Sequence, residues 1–305
     1  MSEHLTHIAV YEDCARLILN SGKFCEAFRT CVSDQYDSGL TTSGTRGNHL
    51  YAVPILAAYK DQWEQVAEDR KVRQQVAGAI GWITHRAADL QMKPTWRAKL
   101  EEDPDFPDSE MQIYHDAVTF REVYDGGWRT TRSANEQLSP HTLEKGMASH
   151  PASKMLDENQ IEELVSFLYQ KEFVGLHSFH DSREDIHQWM DDFIEYHQEF
   201  TEDLRRYIEA FQHPDPGKME TFVYGINYYN PEDQLIQWVR GIQNGNDVSH
   251  LDLDHALEQA ATQSQYAQAV RKGFLFTHAA SEYFEERLEK NILYDTLELG
   301  PNERD

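Results

Sequence analysis

At 305 residues, with 40% apolar and 27% charged side chains, the chain has the length and composition of a folded globule with one large core or two smaller ones. Its formal charge of −25 sets up a negative field that repels polyanions and anionic lipid surfaces, which excludes nucleic acid as the expected partner. The opening residues MSEHLTHIAVYEDC show neither a basic n-region nor an apolar h-region, and no run approaches the roughly 18 apolar residues that cross a bilayer. The expectation is a cytoplasmic protein without stable membrane insertion, and the three cysteines, Cys14, Cys25 and Cys31, have no CxxC spacing and imply no disulfide framework.

In chain order, Ile8, Val10, Tyr11, Cys14, Leu17 and Ile18 recur at helical spacing and predict a first helix over 5–20, ended by Asn20-Ser21-Gly22. Residues 32–48 are rich in Ser, Thr, Gly and Asp and read as a long loop. Helices follow over 51–69 and 71–90, the second stopping before Lys93-Pro94, and then an acidic proline-bearing turn at 101–109. A helix over 110–124 leads to a polar, Gly-containing stretch at 125–154 that has the character of a linker or lid. Beyond it, 158–170, 183–211, 233–243 and 252–290 carry helical apolar spacing, and only 221–229 is ambiguous between helix and strand. The predicted fold class is all-α, a multi-helix bundle with an inserted or appended helical lobe. Its parts are a metal-site core at 1–124, a loop or linker at 125–156, and a lobe at 157–305 whose helix over 252–290 packs back on the core.

The sharpest local pattern is GAIGWITHRAAD, residues 78–89. His85 and Asp89, at i and i+4, project from one helix face and can share an ion, and Gly78, Gly81 and Ala88 on that face allow neighbouring helices to approach closely. His7 lies on the apolar side of the first helix, where an imidazole needs a partner for its ring nitrogens. Asp34 and His49 bracket the polar loop, and His278 and Glu282 form a second histidine–carboxylate pair at i, i+4.

The order His7, Asp34, His49, His85-xxx-Asp89 and His278-xxx-Glu282 resembles the ligand order of the zinc-dependent phospholipase C and single-strand-specific zinc nuclease superfamily. "LTHIAVYEDCARLIL" is similar to that family's first ligand helix, and "GAIGWITHRAADLQMKP" to its small-residue helix. The resemblance covers roughly 4–95 and one C-terminal helix. It implies an all-helical fold around two or three zinc ions held by His7, Asp34, His49, His85, Asp89, His278 and Glu282. His115 would replace a histidine that the family places after the proline turn. It further implies a metal-dependent phosphoric ester hydrolase using a metal-activated water, with Asp89 bridging and Asp34 as ligand or general base. The negative exterior points to a small or zwitterionic phosphoester as substrate.

Two other readings stand beside this one. His115-Asp116 and His180-Asp181 are His-Asp dyads resembling the adjacent ligands of HD-domain metallophosphohydrolases. An acidic helical bundle that binds a partner protein without catalysis fits the same composition. His177, His180, His187 and His197, interleaved with aspartates, read as a solvated acidic helix. Convergence of the histidines and carboxylates on common points separates these readings.

Overall fold

The computed structural model describes residues 4–44, 49–124 and 186–299. Among the described residues there are thirteen α-helices and no strand, so the chain is an all-α multi-helix bundle. They are α1 (His4–Asn20), α2 (Glu26–Asp34), α3 (Tyr36–Ser43), α4 (His49–Lys60), α5 (Trp63–Val66), α6 (Arg70–Glu102), α7 (Asp108–Thr119), α8 (Ile186–Gln212), α9 (Pro216–Met219), α10 (Gln234–Gln243), α11 (Leu253–Gln259), α12 (Gln265–Phe284) and α13 (Lys290–Leu299). The predicted helix at 158–170, the loop at 125–154 and the boundary at 125–156 lie outside the described residues, as do His177 and the dyad His180-Asp181.

Two helices organise the core. α6 has 33 residues, about 50 Å at 1.5 Å per residue, and packs against α1, α3, α4 and α12. Asp69 starts it, its carboxylate accepting a hydrogen bond from the Lys71 backbone N–H at 2.8 Å. α1 is buried on all sides, from Leu5 through Ile18. Its polar residues are therefore inside as well, and the fold meets that cost with partners. Asp13 accepts hydrogen bonds from Arg16 at 2.6 Å, from Tyr266 at 2.9 Å and from Arg240. All three cysteines are free and buried.

Several boundaries differ from the sequence expectation, each for a physical reason. Residues 32–48 are not one loop: α2 runs to Asp34 and α3 occupies Tyr36–Ser43. Tyr36, Gly39, Leu40 and Ser43 face the core at helical spacing, and the hydroxyls that suggested a loop bond back to the helix. Thr42 Oγ1 lies 3.0 Å from both the Ser38 and Gly39 carbonyls, and Ser43 Oγ donates to Leu40 O at 2.8 Å. The expected helix over 51–69 is two, α4 and α5. α6 does not stop before Lys93-Pro94 but runs through Pro94, which sits on the exposed face where loss of one backbone bond costs least. The expected helix over 252–290 divides at Ser264, whose Oγ caps α12 by accepting from Ala267 N at 3.2 Å. The ambiguous patch at 221–229 is a π-turn (Glu220–Tyr224) followed by a turn.

A candidate metal centre

The close crossing of α3 and α6 comes first, because it sets the rear wall of the site. A Cβ added at Gly81 would collide with Gly39 O and Thr42 Oγ1, so these backbones touch only because residue 81 is glycine. Thr42 Oγ1 also reaches Gly78 O at 2.8 Å. The crossing brings the Ser43 carbonyl to His85, whose Nδ1–H donates to it at 2.6 Å. A carbonyl can only accept, so the proton is on Nδ1 and the lone pair of His85 is on Nε2. Such a bond from the rear nitrogen is how metal-ligating histidines are held in one tautomer and orientation.

His85 Nε2 faces Asp89 Oδ2 at 3.6 Å, and His7 Nε2 donates to Asp89 Oδ1 at 3.1 Å. The two imidazoles lie face to face, with ring centroids 4.1 Å apart and planes 32° apart. One ligand atom from each of His7, His85 and Asp89 lies within 4.8 Å of the other two, and all three residues are buried. Ligands of a tetrahedral ion at 2.0–2.2 Å are about 3.4 Å apart, so both carboxylate–imidazole separations match the edges of such a polyhedron. α6 supplies His85 and Asp89 and α1 supplies His7.

The electrostatics agree with the geometry. Burial, and then the neighbouring His7, pushes the His85 pKa down to about 4 against the pull of Asp89. Burial alone would raise the Asp89 carboxyl, but the hydrogen bond it accepts from His7, in a site shared with His85, holds it well below the usual carboxylate range. At neutral pH a lone pair on His85 Nε2 thus faces an ionised carboxylate, two acceptors with no proton of their own to share, which a cation between them would relieve. Lys93, one turn beyond Asp89 on α6, adds an ammonium 2.6 Å from Asp89 Oδ2. Side-chain exposure rises from 2% at His7 to 11% at Asp89 and 36% at Lys93, so the cluster reaches solvent along the Lys93 side.

The His85 shift has a sign that can be checked. Unfolded, the imidazole titrates near 6.5, and folded near 4, so between these values the unfolded chain binds more protons and stability falls as pH drops. The metal-free protein is expected to have a lower urea midpoint at pH 5 than at pH 7, with a smaller difference in His85→Gln. Equal midpoint differences in the two proteins would remove His85 as their source.

The other residues singled out in the sequence supply no ligand atom to this group. Asp34 is engaged by Arg73 at the end of α2. His49 lies at the start of α4 with its ring against Tyr294, and burial lowers its pKa. His115 donates through Nε2 to Phe222 O at 2.8 Å and stacks on Tyr228 at 4.0 Å. His278 stands among Phe24, Phe274 and Glu282, and the Glu282 carboxylate is bonded by Arg287 at 3.0 Å. In the dyad His115-Asp116 the carboxylate is a structural acceptor: it takes bonds from Thr6 N at 3.0 Å and Tyr207 Oη at 3.1 Å. Two participants escaped the sequence reading. Lys93 had a signal, its i, i+4 spacing from Asp89, whereas the Ser43 carbonyl had none, since any residue carries one.

No protein-family model, curated protein or solved structure matches this chain.

Proposed function

We propose that the chain is a metal-dependent phosphoric ester hydrolase, with one divalent ion, zinc, held by His7, His85 and Asp89. The observation that supports it is the buried convergence of two imidazole nitrogens and one carboxylate from α1 and α6, with the rear nitrogen of His85 tied to a carbonyl. Two histidines and a carboxylate are a ligand set that leaves coordination positions open for water and substrate. When bound, the ion would supply a water acidified toward neutral pH and polarisation of a phosphoryl oxygen. The chain's own residues hold the arrangement. Ser43 O keeps the His85 lone pair on Nε2, and Asp89 orients His7 through its other oxygen. An ion loads only on an unprotonated nitrogen, so the proton that His7 Nε2 gives to Asp89 must leave that nitrogen when the ion binds.

We place one ion here, where the sequence expectation was two or three. Among the described residues, the group able to hold an ion is this triad, and Asp34, His49, His115, His278 and Glu282 are engaged elsewhere. Among the described residues, no helix is long and apolar enough to cross a membrane.

The test is elemental analysis of protein purified without a polyhistidine tag and re-equilibrated with zinc, beside His85→Ala. About one equivalent of zinc in the wild type, falling to less than about a tenth in the variant, is expected. A screen of phosphomonoesters and phosphodiesters with the loaded protein then follows. Metal content that is substoichiometric and unchanged by the variant would overturn the reading.

A further inference from the structure

We propose that Lys93 and the metal centre together form a receptor for a dianionic phosphate group, which makes phosphomonoesters rather than phosphodiesters the ligand class of this site. The inference rests on the metal reading above. An Asp–Lys pair at i, i+4 is ordinarily a surface contact of small value, but this one differs in its carboxylate. Asp89 is buried, its Oδ1 is bonded to His7, and its Oδ2 is placed between His85 Nε2 at 3.6 Å and Lys93 Nζ at 2.6 Å. The ammonium therefore sits at the edge of the ligand set rather than on the outer face of α6.

Charge decides what such a site binds. Both imidazoles are neutral when they ligate a metal. The ion's two positive charges and the one on Lys93, set against the single negative charge of Asp89, leave a local excess of about two positive charges. A phosphate dianion balances that excess, and a diester monoanion balances half of it. The surrounding chain, at −25, opposes a dianion more than a monoanion, so the preference rests on the local charge balance at the site itself. Lys93 has the reach to serve: its side chain is 36% exposed on a flexible four-carbon stem, whereas His7 and His85 are closed in. One phosphoryl oxygen would meet the ion and another the Lys93 ammonium, with the ester group on the solvent side.

Isothermal titration of zinc-loaded protein, cleared of excess zinc, tests this with inorganic phosphate and with dimethyl phosphate. Phosphate should bind the loaded protein and not the metal-free one, and dimethyl phosphate should bind at least about tenfold more weakly. In Lys93→Gln, phosphate affinity should fall about tenfold or more while zinc stoichiometry stays at the wild-type value, and Lys93→Arg should restore part of it. Equal phosphate affinity in Lys93→Gln, equal affinity for the two anions, or stoichiometric zinc without phosphate binding would each overturn the receptor and leave the metal centre standing. Absence of zinc from the wild type would overturn the metal reading and the receptor with it.

Discussion

Asp89→Ala is expected to lower folding stability by about 3 kcal/mol, in addition to abolishing the proposed zinc binding. The carboxylate is the acceptor for His7 Nε2 and the counter-ion of Lys93. Truncation strands the buried His7 N–H, worth about 1–3 kcal/mol, and leaves a small void between α1 and α6. The Lys93 side adds little, because an ammonium with 36% of its side chain exposed turns to water once released. Asp89→Asn separates the two effects: it keeps the volume and an acceptor oxygen for His7, so most of the stability returns, but it lacks the charge an ion needs. Urea midpoints and zinc content of the two variants provide the check. Wild-type stability in Asp89→Ala would mean that the His7–Asp89 bond does not form in solution.

Gly81→Ala should cost about 3 kcal/mol or more, the reverse of its effect on an ordinary helix. Mid-helix glycine is worse than alanine by roughly 1 kcal/mol, so propensity alone predicts stabilisation. Here the added methyl meets the Gly39 carbonyl oxygen and Thr42 Oγ1, and neither can yield without separating α3 from α6. Separation also moves Ser43 O away from His85 Nδ1. Loss of such a rear contact lowers metal affinity by about 10–100-fold in known sites. The variant is thus expected to lose both urea midpoint and zinc affinity, although residue 81 supplies no atom to the triad. A midpoint equal to or above wild type would show that the α3–α6 crossing is looser than described.

How much of this was legible in the sequence depends on the range over which each feature acts. The all-helical fold was legible because apolar spacing is local, and so was His85 with Asp89, since i, i+4 spacing on one helix fixes their proximity. His7 was legible as a histidine in need of a partner, though not which partner. The burial of α1 on its polar side was not legible, because Asp13 and Arg16 look like surface residues until Arg240 and Tyr266 arrive from more than two hundred residues away. α3 was hidden by composition: its Ser and Thr hydroxyls satisfy carbonyls within the helix instead of breaking it. Pro94 was read as a stop because that rule is local, whereas packing of α6 against several helices overrides it. Asp34, His49, His278 and Glu282 were singled out on order along the chain, and order does not determine which side chains share a point in space.

Asp116 takes on a second meaning once α1 is viewed from its first turn. The Thr6 backbone N–H is among the donors that a helix start leaves without an intrahelical partner, and the Asp116 carboxylate receives it across 110 residues, itself bonded from α8 by Tyr207. The helix that carries His7 is therefore capped in trans. All three residues of the proposed centre lie within the first 89 residues, but the turn that aims one of them is completed by α7 and α8. Contacts so distant along the chain close late, because loop entropy is lost before they return anything. In kinetic terms the centre belongs to the end of folding. A nascent chain that has emitted all three residues of the triad still lacks the aimed His7, so capture of an ion by the proposed centre would report that the remote helices have docked.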